Sequence, residues 1–153
     1  MTNIFRTFAR RLNSEHGNAL IELAVGMTVL TTIILGAAEF GRVAYASIEI
    51  NDAAHAGAAY AAESRTYAAD TANANTAATK DAPDVSGVTA TTTYWCKCSN
   101  GSASTCAATD CSTSRIIEYV TVTTTGTVNP MIYVPGLPHT YTINGSAVMR
   151  VEQ

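Results

Sequence analysis

One apolar run near the N-terminus limits what this chain can fold into. From Leu23 to Ala38 no side chain is charged, and with Asn18 to Glu22 the run reaches about 20 residues. As an α-helix this is roughly 30 Å, the thickness of a bilayer's hydrocarbon core. A buried helix of a water-soluble protein is seldom so long and so unbroken. Within the run stands one carboxylate, Glu22, five residues after Gly17. An ionised side chain in hydrocarbon costs roughly 3 kcal/mol or more on insertion scales, which marks it for a function. Insertion of the whole segment is favourable by a narrow margin. Leu20, Ile21, Leu23, Val25, Val29, Leu30, Ile33, Ile34 and Leu35 each contribute roughly -0.3 to -0.6 kcal/mol. Gly26, Thr28, Thr31, Thr32, Gly36 and Glu22 offset part of that gain. Such a helix suits a segment that later leaves the lipid. Ala24 and Thr28, one turn apart, allow close helix–helix packing.

The residues before the run form a basic leader, MTNIFRTFARRLNSEH. Arg6, Arg10 and Arg11 alternate with Ile4, Phe5, Phe8 and Leu12, a spacing that suits a short amphipathic helix on a membrane surface. Positive charge ahead of the apolar run leaves the N-terminus in the cytoplasm and sends the remainder outward. Gly36-Ala37-Ala38 resembles a signal-peptidase site after the run. The order leader, Gly17, four residues, Glu22, apolar run argues instead for cleavage before the apolar run.

No helix breaker follows Ala38. Val43 to Ala62 has high helix propensity and no proline, which predicts one helix from about Asn18 to about Ala69. Phe40, Val43, Ile50, Ala54, Gly57, Ala58 and Ala61 are expected along one face. Residues 70–84 are polar, rich in Ala and Thr, and contain Pro83; they read as a linker loop. From residue 85 to residue 153 the pattern turns to β. Strands are expected over Val85–Lys97, Ile116–Val128 and Thr140–Glu152, with a bulge or turn at Asn144-Gly145. The segment Asn129–His139, with Pro130, Pro135 and Pro138, is excluded as a strand. The predicted fold is therefore α+β: a long N-terminal helix, membrane-spanning in its first half, packed on a small antiparallel sheet.

The four cysteines, Cys96, Cys98, Cys106 and Cys111, lie within 16 residues of one another in a segment of small polar residues. Such a segment cannot build a core, so it calls for covalent staples. A Cys96–Cys98 bridge would close a very small, strained ring. Each of the two therefore pairs with Cys106 or Cys111, leaving two connectivities. A four-thiolate zinc site is the competing chemistry. It is disfavoured by a first spacing of one residue and by the oxidising compartment that an outward-facing domain implies. No metal or cofactor is expected.

Other function classes find little support. A net charge of -3 offers no basic surface to nucleic acid. Asp81, Asp84, Asp110 and Glu118 are scattered and read as solvated surface; no nucleophile–base pair is present, so no catalytic residue and no enzyme is expected. His16, His55 and His139 are far apart. His55 has no second ligand at i+4 and reads as a residue on the helix flank, and His139 reads as a surface residue.

Gly17-Asn18-Ala19-Leu20-Ile21-Glu22, Ile34 to Arg42 (ILGAAEFGR) and Asn51 to Ala58 (NDAAHAGA) together resemble the TadE-like pseudopilins. These are minor pilin-like proteins of the bacterial tight-adherence, or Flp-type, pilus machinery. The ending Ala147 to Glu152 resembles that family more weakly. The chain departs from many members at Leu23, where they have an aromatic residue. The resemblance implies a pilin-like fold and removal of residues 1–17 by a prepilin peptidase. Asn18 becomes the new N-terminus, and Glu22 becomes a pairing residue for the free amine of a neighbouring subunit. It also implies a single-pass protein of the bacterial inner membrane with a periplasmic C-terminal domain. Its partners would be membrane lipid, other pilin-like subunits and inner-membrane pilus assembly proteins, and its destination an extracellular pilus. The alternative is an uncleaved, membrane-anchored binding module whose stapled domain contacts a partner outside.

Overall fold

The computed structural model describes residues 15–133, 136 and 138–152, with side chains from residue 17 onward. The amphipathic leader therefore lies outside the described residues, as does Pro135. Helix α1 spans Glu15–Ala62, α2 Arg65–Ala69 and α3 Thr71–Lys80. Strands follow at β1 (Ser86–Cys98), β2 (Ala103–Ser104), β3 (Ile116–Val128) and β4 (Tyr141–Arg150). All pairings are antiparallel, in the order β2-β1-β3-β4. The α+β class and three of the strands are as the sequence predicts, and β2 is a two-residue addition. The chain divides at Gly41–Arg42 into two compact units.

In the second unit, α1 packs its small-residue face on the sheet. Ala46, Ile50, Ala53, Ala54, Ala58, Ala61 and Ala62 are buried, recurring at the three- and four-residue intervals of one helix face. Val43 is half-buried against them, whereas Phe40, expected on this face, is 76% exposed in the other unit. The register follows the sheet from one end to the other. Ala46 and Ile50 meet Val85 and Val128. Ala54 and Ala58 meet Val122 and Ala147. Ala61 and Ala62 meet Val120 and Val151.

Close approach of helix to sheet explains two glycines. A Cβ on Gly145 would lie 2.5 Å from the Ile50 carbonyl oxygen, and one on Gly126 would lie 2.6 Å from Ile50 Cδ1. Gly145 is thus no bulge: it pairs in register with Thr124 inside a continuous β4 and leaves room for the helix backbone. Thr124, also buried, donates its hydroxyl to the Ile50 carbonyl at 2.7 Å, so the polar atoms at this crossing are satisfied.

Two expectations need correcting. The long helix ends at Ala62 rather than Ala69. Ser64 adopts an extended backbone and its side chain accepts from the Tyr67 amide, starting α2 as a separate turn. The amide of Glu152 donates to the Ala62 carbonyl at 2.8 Å and satisfies the end of α1. Residues 71–80, expected as loop, are helical. Asp70 caps them by accepting from Asn73, and Ala74 and Ala78, one turn apart, are buried. Alanine propensity and this buried pair outweigh the polar composition.

Candidate functional site

The first unit presents the junction. Gly17, Asn18 and Glu22 lie in the first turns of α1, all exposed. From Gly17 onward the helix is long and apolar enough to cross a membrane, and none of its most apolar window is buried. Leu20, Ile21, Leu23, Val25, Ile33 and Ile34 are all more than half exposed. In water such a surface is costly, and in hydrocarbon it is the stable arrangement. The threonines fit the same setting. Thr28, Thr31 and Thr32 donate to the carbonyls of Ala24, Met27 and Thr28 at 2.9, 2.7 and 2.9 Å. Their hydroxyls need no outside partner. Ala19, Glu22, Leu23, Gly26, Met27 and Leu30 line a shallow groove on this helix. The carboxylate therefore stands at the edge of a strip where the missing side chain of Gly26 leaves space.

In the second unit, the end of the sheet remote from Arg42 carries the staples. Cys96 and Cys98 are two residues apart on β1, so both face the same side of the strand. They bridge to Cys106 and Cys111 respectively, with Cα–Cα distances of 5.1 and 5.6 Å. Of the two connectivities left open by the sequence, the interleaved one is adopted, and no described thiol remains free for zinc. Gly101, at φ +96°, turns the chain between β1 and β2. Asp110 organises the rest of this loop. Its Oδ2 accepts from the Thr105 amide at 2.6 Å, the Thr105 hydroxyl at 2.7 Å and the Ser104 hydroxyl at 3.2 Å. These bonds hold the carboxyl below its ordinary pKa.

Glu118 is not the solvated carboxylate that sequence reading expects. It is buried on β3 and receives a two-pronged contact from Arg65, Nε to Oε2 at 3.0 Å and Nη2 to Oε1 at 2.8 Å. Burial, followed by the bond to Glu118, raises the pKa of Tyr94. This cluster fixes the start of α2 to the sheet. The signal that it is buried was present in the sequence: Glu118 has the same parity along β3 as Val120 and Val122. Asp81, Asp84 and His55 are exposed, as expected. His139 is exposed and stacks on Tyr133, with ring centroids 4.5 Å apart. Trp95 stacks on Tyr119 at 4.6 Å on the opposite sheet face. Among the described residues no group of three or more His, Cys, Asp or Glu is placed to hold a metal.

A membrane-length helix that continues into a small α+β unit defines a class of single-helix, sheet-capped proteins. Within that class, residues 17–59 match the family model described as TadE-like protein, a stretch that holds the junction, the apolar run and most of its continuation. The match begins at Gly17 and includes Glu22. No curated protein and no solved structure matches the chain.

Proposed function

We propose that this protein is a minor pilin-like subunit acting in assembly of a tight-adherence pilus. In this reading a prepilin peptidase cuts between Gly17 and Asn18, and the mature helix is held in the inner membrane with the stapled unit in the periplasm. The observation that carries it is the placement of Glu22. The carboxylate stands at the head of an exposed, membrane-length helix, five residues after Gly17, within the region that matches the TadE-like family. A carboxylate in low dielectric gains most from a cation brought close, and the amine created by cleavage at Asn18 of a neighbouring subunit is such a cation. The groove beside Glu22 and Gly26 supports the reading by giving a second helix room to approach. The partners are then the peptidase, sister pilin-like subunits and the inner-membrane assembly proteins, and the role is structural rather than catalytic.

Substitution Glu22→Ala separates the two tasks of the helix. Carbonate-resistant membrane insertion is expected to be kept or improved, because a costly charge is removed, while recovery of the protein in sheared pilus fractions falls at least several-fold. Normal recovery of Glu22→Ala in assembled fractions would contradict the charge-pairing role.

A further inference from the structure

The second unit has two different ends. β3 runs from the stapled end at Ile116 to Val128, and β4 returns from Tyr141. Because Ala46 and Ile50 pack against Val128 while Ala61 and Ala62 pack against Val120 and Val151, the chain enters this unit at the Val128–Tyr141 end. The β3–β4 loop projects from that same end. It places three consecutive apolar side chains in the open: Met131, Ile132 and Tyr133, at 71, 44 and 59% exposure. The loop is pinned. Thr140 donates to Asn129 Oδ1 at 3.0 Å across its base, and the Tyr133 ring stacks on His139. Ile132 and Tyr133, adjacent, apolar and exposed beside the fixed base of this loop, suit burial against an apolar surface.

We infer that this surface is that of the membrane, with Ile132 reaching the acyl boundary and the Tyr133 ring at headgroup level. The inference rests on reading residues 18–38 as membrane-spanning. Between Ala38 and Val43 lie four residues, Glu39 to Arg42. Even fully extended, that tether spans no more than about 18 Å, and as helix about 8 Å. The headgroup layer is itself roughly 5–8 Å deep on each side. The entry end of the second unit is therefore kept close to the interface whatever angle the two units adopt. Tyrosine is the residue favoured at that depth. Tyr45, 60% exposed, lies within the first turn after Arg42 at the same end. The turn before β1, also at this end because Val85 packs on Ala46 and Val128, exposes Asp81 and Asp84. At the opposite end, the turn Ser99 to Ser102 is polar and exposed.

The test uses the full chain in phosphatidylcholine nanodiscs. Trp95 is the sole tryptophan, so Trp95→Phe provides a silent background. Single tryptophans are then introduced by Leu30→Trp, Ile132→Trp and Asn100→Trp, with Tyr133→Trp as a second loop variant, and quenching by brominated acyl chains is read. Leu30→Trp should be quenched by mid-chain bromines. Ile132→Trp or Tyr133→Trp should be quenched by bromines near the glycerol at least threefold more than Asn100→Trp. Quenching of Leu30→Trp with both loop variants at the Asn100 level would overturn the inference and assign the loop to a protein partner, such as a second copy. Absence of quenching at Leu30 would overturn the spanning reading itself, and the loop inference with it.

Discussion

At Gly145 helix and sheet come close together. Its missing side chain admits the Ile50 carbonyl, which the buried Thr124 hydroxyl satisfies. In Gly145→Ala, the added methyl meets backbone at 2.5 Å and the Thr124 hydroxyl at 2.7 Å, and neither is the far end of a flexible side chain. The second unit is expected to lose about 3 kcal/mol, the upper part of the usual overpacking cost. A thermal melt of the full chain in detergent should show a drop of several degrees; an unchanged midpoint would mean that the helix does not pack this closely. At Asp110 the expected change is with pH. Its pKa is lowered by the bonds from Thr105 and Ser104, so its contribution is fully present above the unfolded value of about 3.9 and is lost as pH falls through the lower folded value. Exchange protection of the Thr105 amide should therefore hold at pH 5 and collapse only below the ordinary carboxylate range. Loss of protection above that range would show that another group holds the loop. Neither role was legible as sequence. A glycine after asparagine reads as a turn, and a lone aspartate among serines and threonines reads as solvent.

Elements were legible where a period was strong. The β3 strand alternates from Glu118 onward, and its observed bounds are those expected. The face of α1 was readable from Ile50 to Ala61 because alanine and glycine recur there at helical spacing. Phe40, which shares that spacing, lies in the first unit and is exposed. Helix α3 was missed because TANANTAATK resembles a polar linker in composition; what makes it a helix is the Asp70 cap and a buried alanine pair, both tertiary facts. The cysteine loop was legible as stapled, but its pairing was not. The interleaved bridges limit what reduction does. Reducing both is expected to free residues 99–115, which have little secondary structure beyond Ala103–Ser104, and to leave α1 and the β1–β3 ladder in place. Far-UV circular dichroism should keep its helical signal while proteolysis between Cys98 and Cys111 becomes several-fold faster. A parallel loss of helix would show that the staples support the whole unit.

At the scale of the whole molecule, one helix serves two settings. Among the described residues, the apolar side chains before Arg42 are exposed, and after it the small residues face a sheet. The stapled loop and the apolar β3–β4 loop occupy opposite ends of the second unit, so this unit has a built-in direction from the end where the chain enters it to its disulfides. Under the proposed function three features would serve assembly: a helix marginal enough to leave lipid, a carboxylate to select a neighbour, and a covalently closed tip. Of these, the marginal helix and the carboxylate were visible in the residues themselves, whereas the direction appears only once the packing of α1 on the sheet is known. The account depends most on the fate of the leader. The intact mass of the protein from membranes, with and without a co-expressed prepilin peptidase, tests it most directly. The account predicts loss of residues 1–17 and an N-terminal Asn18 only when the peptidase is present; a leader uncut in both samples would contradict it, and would leave the stapled unit as a membrane-anchored binding module.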